Sequence, residues 1–471
     1  MQEIPRRDFL RFGLAAAVCG AAATARARQN GSRFPLRPDL SVFPDEPSIG
    51  WAQLPTILAS IVPPQFPDRD FVITDYGATN TIGSDTNPAL NAAIRACHRA
   101  GGGRVVVPAG HWTCHGPILL LGNVNLYLES NAIIEFGYNP NDYLPVQLVR
   151  WQGIRCYSHS PLIYAHRQNN IAITGSGTFN GNGFRWAPWA ATENHDWALL
   201  QKMARTGAPV EQRIFGAGSR LRPALFEAYD CRNILLQGVT FGGSPFWTLH
   251  PVFCTNVTIQ EVTVIPGELN DDGCDPDSCL DVLIEGCNFS TVDDNVSIKA
   301  GYNPDAEGLP GCENIVIQNC NCLRSTWSGL TVGTDVAGGV RNVFIQNCTI
   351  NRCVNAHYIK ARANWAGSVE NVYIRYNRVG ACHSLLSLQP DSYDQAGPLG
   401  PPIYSNINMQ GVTCLATRGP VFSFSGDPRL PIDAVNLESI EINRADTVAA
   451  INHTAHLSAS DITIDGRPVY L

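Results

Sequence analysis

The sequence predicts an all-β chain wound as a right-handed parallel β-helix. Two observations carry this. First, one motif recurs along most of the chain: Asn or Asp, alternating aliphatic residues, a polar break of two residues, then a second short alternation. Examples are "CRNILLQGVTF", "CTNVTIQEVTV", "CLDVLIEGCNF", "CENIVIQNCNC", "VRNVFIQNCTI" and "VENVYIRYNRV". Second, most successive copies lie roughly 23–35 residues apart, the length of one solenoid turn. Strands this short cannot bury themselves alone. Stacked turns bury a continuous apolar column, and the polar break makes a tight corner. The Asn that opens each copy is expected to bond to the backbone of its own turn. A propeller would need a longer, four-strand repeat.

The elements follow in order. Residues 1–27 carry twin arginines (Arg6, Arg7), a short Ala-rich apolar run and small residues at the end, "RRDFLRFGLAAAVCGAAATARA". This resembles a bacterial twin-arginine export signal, which implies a periplasmic or extracellular protein. Cys19 offers a lipoprotein alternative, but Val18 before it is a poor match. No stretch is long enough to form a stable membrane span. Residues 28–70 are Pro-rich and read as a linker and leading cap, with "WAQLPTILASI" as their one regular piece. The β-helix domain covers 71–471. It opens with "FVITDYGA" and an amphipathic capping helix over 87–100, "NPALNAAIRACHRA", which Gly101 to Gly103 end. The segment 184–222 interrupts the repeat and is expected to wall one end of a cleft.

Composition narrows the function. The chain has 471 residues, a formal net charge of −8 and a pI near 5.8, without the basic footprint of a nucleic-acid partner. Sixteen cysteines in an exported chain would suggest disulfides. Cys287, Cys320 and Cys348, however, fall at one repeat position, so a buried column of small apolar side chains is expected. No CxxC pair is followed by a second pair, which argues against zinc.

Acids crowd into one stretch, "NDDGCDPDSCLDVLIEGCNFSTVDDNVSIKAG", residues 270–301. A third strand lies between successive motif copies: "DGCDPDS", "DNVSIKA", "SGLTVGT" and "HYIKAR". Aligning Ile298, Val332 and Ile359 puts Lys299, Gly333 and Lys360 in one column and Asp272, Asp294 and Ser328 in another. Stacked strands sit about 4.8 Å apart. Asp272 and Asp294 then become neighbours, with Asp293 one step before Asp294 and level with Trp327. Three clustered carboxylates repel, so one should hold a proton. That is the arrangement for glycoside hydrolysis, where one carboxyl protonates the leaving oxygen and another activates water. The residues alone leave open a calcium site drawing on Asp275 and Asp277, lyase chemistry, or solvated turn aspartates on a non-catalytic carbohydrate-binding β-helix.

The motifs "FPDRDFVITDYGA", "GGGRVVVPAG", "SPFWTLHPV", "NDDGCDPDS", "VDDNVSIKAG", "VGTDVAGGVRNVFIQNC" and "YIKAR" together resemble glycoside hydrolase family 28, the polygalacturonase family, especially its bacterial exo-acting members. The resemblance spans about residues 50–460. It implies a pectin-lyase-like β-helix, no metal or cofactor, and inverting hydrolysis of pectic polysaccharide or oligosaccharide. Asn270 and Asp272 match the family's Asn-Thr-Asp, with Asp271 in the Thr place. Asp293 and Asp294 match its Gly-Asp-Asp, with Val292 for Gly. The resemblance makes Asp293 the general acid, Asp272 and Asp294 the pair that deprotonates water, and Lys360 a holder of galacturonate carboxylate. Two family residues are replaced: the His of Gly-His-Gly by Trp327, and the Arg of Arg-Ile-Lys by Tyr358. Both suit stacking on a sugar face better than pairing with a carboxylate, which draws attention to rhamnogalacturonan beside homogalacturonan. His250 is a substrate contact or a wall histidine, Lys299 a substrate contact or a partner of Asp277. Arg150 and Trp151 are expected at a far subsite. A calcium-dependent pectate-lyase-like enzyme is the alternative on the same fold.

Overall fold

The computed structural model describes residues 50–81, 83–302, 305–306, 308–363, 365–391 and 399–471. The expected export signal at 1–27 and most of the linker lie outside the described residues.

The chain winds as a right-handed parallel β-helix. Short strands stack turn upon turn in parallel register, and one aliphatic column runs Val257, Val282, Ile315, Val343, Val372, Ile407, Val435. All seven are buried, as the alternation in each copy requires. The cysteine column holds as read: the fifteen cysteines among the described residues are buried thiols in no disulfide. The expected capping helix forms over Asn87–Arg99, with Leu90, Ala93, Ile94 and Cys97 turned into the first turns. Gly101 to Gly103, all at positive φ, end it.

The opening Asn of each copy works differently from the expectation. Asn170, Asn233, Asn256, Asn314, Asn342, Asn371 and Asn406 all adopt positive φ, between 55° and 58°. Asn tolerates this left-handed corner better than other side chains bearing a Cβ. Their amides bond to one another across turns, not to their own backbone: Asn233 Nδ2 to Asn170 Oδ1 at 2.9 Å, Asn256 to Asn233 at 2.8 Å, and Asn406 to Asn371 at 2.8 Å. A second ladder lies on the outer face. Arg375 donates to Gln346, Gln346 to Gln318 and Gln318 to Glu285, with bonds of 2.8 Å.

Part of the expected leading cap lies elsewhere. The helix Leu54–Ser60 and Trp51 pack on the side of the coil, against Val316, Phe344 and Tyr373. Just beyond, Val62 N–H donates to Asn256 Oδ1 at 2.9 Å. Val316, Phe344 and Tyr373 belong to middle turns and are buried beneath this segment.

The interruption at 184–222 contributes the helices Gly183–Ala190 and Asn194–Arg205, then a strand, Ile214–Phe215, paired with Ile154–Ser158. With Val149, Trp151, Trp247, Tyr302 and Trp365 it builds a second apolar core beside the main one.

Candidate active site

The third strand of each turn forms its own ladder, including Leu249–Val252, Val296–Ile298, Ser328–Val332 and Asn355–Arg362. Val296 pairs with Leu330 and Ile298 with Val332, and Val332 pairs with Ile359. Cys274 bridges to Val296 and Asp277 to Lys299. These pairings reproduce the columns read from sequence, Asp272–Asp294–Ser328 and Lys299–Gly333–Lys360.

Asp272, Asp293 and Asp294 converge: a carboxylate oxygen of each lies within 4.8 Å of the others. They are not alike. Asp272 is 4% exposed and Asp294 1%, whereas Asp293 is half-buried and reaches solvent. Each buried member faces an ammonium. Lys360 Nζ donates to Asp294 Oδ2 at 3.1 Å. Lys299 Nζ lies 3.3 Å from Asp272 Oδ2 and 3.5 Å from Asp275 Oδ1, stacked on the Trp247 ring at 4.4 Å. One ammonium serves two buried carboxyls. Burial first, then the charges of Asp275 and Asp293, push Asp272 well above the usual carboxylate range, with Lys299 opposing. Burial likewise raises Asp275 to about 7. Burial thus works against the ionised form of both Asp272 and Asp275, and the shared Lys299 ammonium works for it.

The loop before Asp293 is shaped by Asp271, in the family's Thr place. Its carboxylate accepts the N–H groups of Gly267, Val292 and Asp293 at 2.7, 2.8 and 2.9 Å. Asp293 Oδ1 accepts the Asp294 N–H at 3.0 Å and its Oδ2 accepts from Asn270 Nδ2 at 3.4 Å. Asn270, Asp271, Asp272, Asp293, Asp294, Lys299 and Lys360 therefore form one connected site.

Other sequence candidates sit differently. His250 is buried, 3.2 Å from Glu227 and 3.5 Å from Asp277, with its ring edge on Trp247. Burial opposes its charge, but Asp277 and Glu227 outweigh that and raise it to about 9. Asp277 belongs to Arg150, whose Nη1 donates to it at 2.9 Å; both are fully buried. Lys299 is thus a partner of Asp272 and Asp275, not of Asp277, and Arg150 is an interior ion-pair residue, not a subsite wall. Tyr358 is buried beneath Lys360, with Nζ 5.0 Å from its ring, and its hydroxyl accepts from Gln389. That geometry favours packing over stacking on a sugar. Trp327 is half-buried, and the strand register sets it level with Asp293 as expected. Glu227, Arg222 and Glu193, all buried, escaped the sequence reading; no local motif marks them.

A metal would find oxygens at Asp272, Asp293 and Asp294, but two of the three already face lysines. Asp275 and Asp277 are bound up with Lys299, Arg150 and His250, so they do not complete an oxygen cage of the kind calcium takes. The spacing also departs from expectation. Nearest oxygens within 4.8 Å are closer than the about 6.5–9.5 Å between carboxyls of most inverting pairs.

A model of "Glycosyl hydrolases family 28" matches residues 211–461, more than half of the chain and the whole of this site. The chain belongs to this family. A hyperthermoactive exopolygalacturonase of Thermotoga maritima is 30% identical, with a TM-score of 0.84 over 89% of this chain and 97% of that one. A polygalacturonase of Erwinia carotovora ssp. carotovora is 20% identical, with a TM-score of 0.63 over 84% of this chain and 98% of that one, a likeness of fold. Among curated family 28 relatives, a probable polygalacturonase of Vitis vinifera is 26% identical over 64% of this chain, and an endo-polygalacturonase of Pectobacterium parmentieri 26% over 78%. The chain spans 59% of the Vitis protein's length and 87% of the Pectobacterium one.

Proposed function

We propose that this protein hydrolyses α-glycosidic bonds of pectic polysaccharide or oligosaccharide from a chain end. Asp293 is the general acid, and Asp272 and Asp294 hold the attacking water. The observation that carries the reading is the split within the trio: one solvent-reaching carboxyl beside two buried ones that face ammonium groups. Asp293 delivers a proton to the glycosidic oxygen as the C–O bond breaks. Water attacks the anomeric carbon and gives its proton to the Asp272–Asp294 pair. Inversion rests on the family resemblance, since the oxygen spacing does not argue for it. Exo action is supported by the likeness to the Thermotoga exopolygalacturonase and by the inserted helices beside the site. Trp327, in the place of the family's histidine, argues for a less acidic sugar at the scissile bond, as in rhamnogalacturonan.

The test is chromatography of products from polygalacturonate, rhamnogalacturonan and aryl glycosides. The expected result is one short product from the earliest times with new reducing ends. An ultraviolet-absorbing unsaturated product that EDTA abolishes would establish a lyase instead. Saturable binding without new reducing ends would establish a non-catalytic carbohydrate-binding protein. We also propose export by the twin-arginine route; Arg6→Lys with Arg7→Lys should retain the protein in the cytoplasm on cell fractionation.

A further inference from the structure

The inserted segment does more than flank the site. Its Glu193, 7% exposed, accepts from Arg222 twice, at Oε2 from Nε and at Oε1 from Nη2, both at 2.7 Å. Arg222 is fully buried on the Phe246 ring. Its Nη1 donates to the carbonyls of Pro245 at 3.0 Å and Leu269 at 2.5 Å. Its Nη2 also donates to Asn270 Oδ1 at 2.9 Å. All five guanidinium N–H groups are thus engaged. Asn270 stands between two groups of opposite demand. The guanidinium accepts nothing, so it takes the amide oxygen; the amide N–H₂ is left to face Asp293 Oδ2. A reversed amide would set donor against donor at Arg222 and oxygen against oxygen at Asp293.

We propose that Glu193 and Arg222 are positioning residues for the acid: the pair fixes the Asn270 amide as a donor to Asp293 and so couples the inserted helices to proton delivery. This rests on the assignment of Asp293 as general acid. The bidentate carboxylate–guanidinium fork sets the plane of the guanidinium, that plane sets the amide, and the amide restrains one Asp293 oxygen. The other oxygen is restrained by the Asp294 N–H. Without Glu193 the guanidinium can rotate, and the carboxyl loses a fixed donor.

The test separates proton delivery from general damage by leaving group. A galacturonate oligosaccharide leaves as a poor alkoxide and needs the proton. An aryl galacturonide with an acidic phenol leaves with little help. Glu193→Gln, Arg222→Lys and Asn270→Asp are compared with Asp293→Asn on both substrates, with melting curves. The expected result is a fall in kcat on the oligosaccharide of about 10- to 100-fold for each positioning variant, the cost of misplacing a catalytic group by about an ångström. KM should change far less, and the aryl substrate should be nearly unaffected. Glu193→Asp, which keeps the charge, should restore part of the loss. Asn270→Asp removes the donor at almost constant volume, so it decides the question even where Arg222→Lys does not fold. Equal losses on both substrates in folded variants would overturn the proposal. If Asp293→Asn itself slows both substrates equally, the assignment of Asp293 fails, a separate result.

Discussion

The same coil carries two stacked polar columns that behave in opposite ways. On the asparagine corner most rungs are amides, donor on one side and acceptor on the other, so they bond from turn to turn, and the carboxylate rung Asp281 accepts from Asn314 Nδ2 at 2.9 Å. In the cleft the stacked groups are carboxylates, which can only accept. Its carboxylates, Asp272 and Asp294, face Lys299 and Lys360, and Asp293, one step off that column, reaches solvent. Identical spacing gives a passive seam where the side chain complements itself and a reactive site where it does not.

The sharpest way to erase the difference is to put an amide in the cleft. Asp293→Asn should lower hydrolysis of the pectic substrate by about 100- to 10,000-fold while leaving the fold intact, the range for loss of a general acid; initial rates and far-ultraviolet circular dichroism check it. Removing a neutralising cation is the next test. Lys360→Met strands Asp294, which is 1% exposed, without its ammonium. Breaking a buried pair costs about 3–5 kcal/mol, so a large fall in the denaturation midpoint should accompany lost activity. An ordinary surface lysine would show neither.

A third test uses pH. The folded-state pKa of His250 is raised to about 9 from an ordinary 6.5. Its contribution to stability is therefore complete below about pH 6.5 and is lost as pH rises through 9. Thermal midpoints should decline across that window, and His250→Gln should flatten the decline. The smallest effect belongs to the passive seam. Asn342 donates to Asn314 and accepts from Asn371, both at 3.2 Å, with φ of 57°. Asn342→Ala should cost about 1–2 kcal/mol from the lost bonds and the left-handed backbone, and activity per folded molecule should not change. A loss of activity there would break the comparison.

Much of the frame was legible because alternation fixes register. Once Ile298, Val332 and Ile359 were aligned, Lys299, Lys360, Asp272 and Asp294 fell into their observed columns without further information. What the sequence hid were partners set by long connections. Arg150 reaches Asp277 across 127 positions. Asn270 meets Arg222 across 48. Neither leaves a periodic trace, so an interior arginine read as a subsite wall. Trp51 and Leu54 lie within the stretch that reads as linker and leading cap, and their neighbours are apolar residues on the outside of middle turns. The identity of the acids is a matter of local motif, while their unequal burial emerges only from packing.

The fifteen buried thiols carry a consequence for how this molecule dies. In the folded coil they are buried as free thiols, each held beside fixed neighbours. Once the coil opens, they meet in arbitrary combinations, and thiol–disulfide chemistry locks in mismatched pairs. In an oxidising medium unfolding then becomes a one-way event, and durability is a rate of opening, not an equilibrium. Melting should be reversible with reductant present and scan-rate dependent without it.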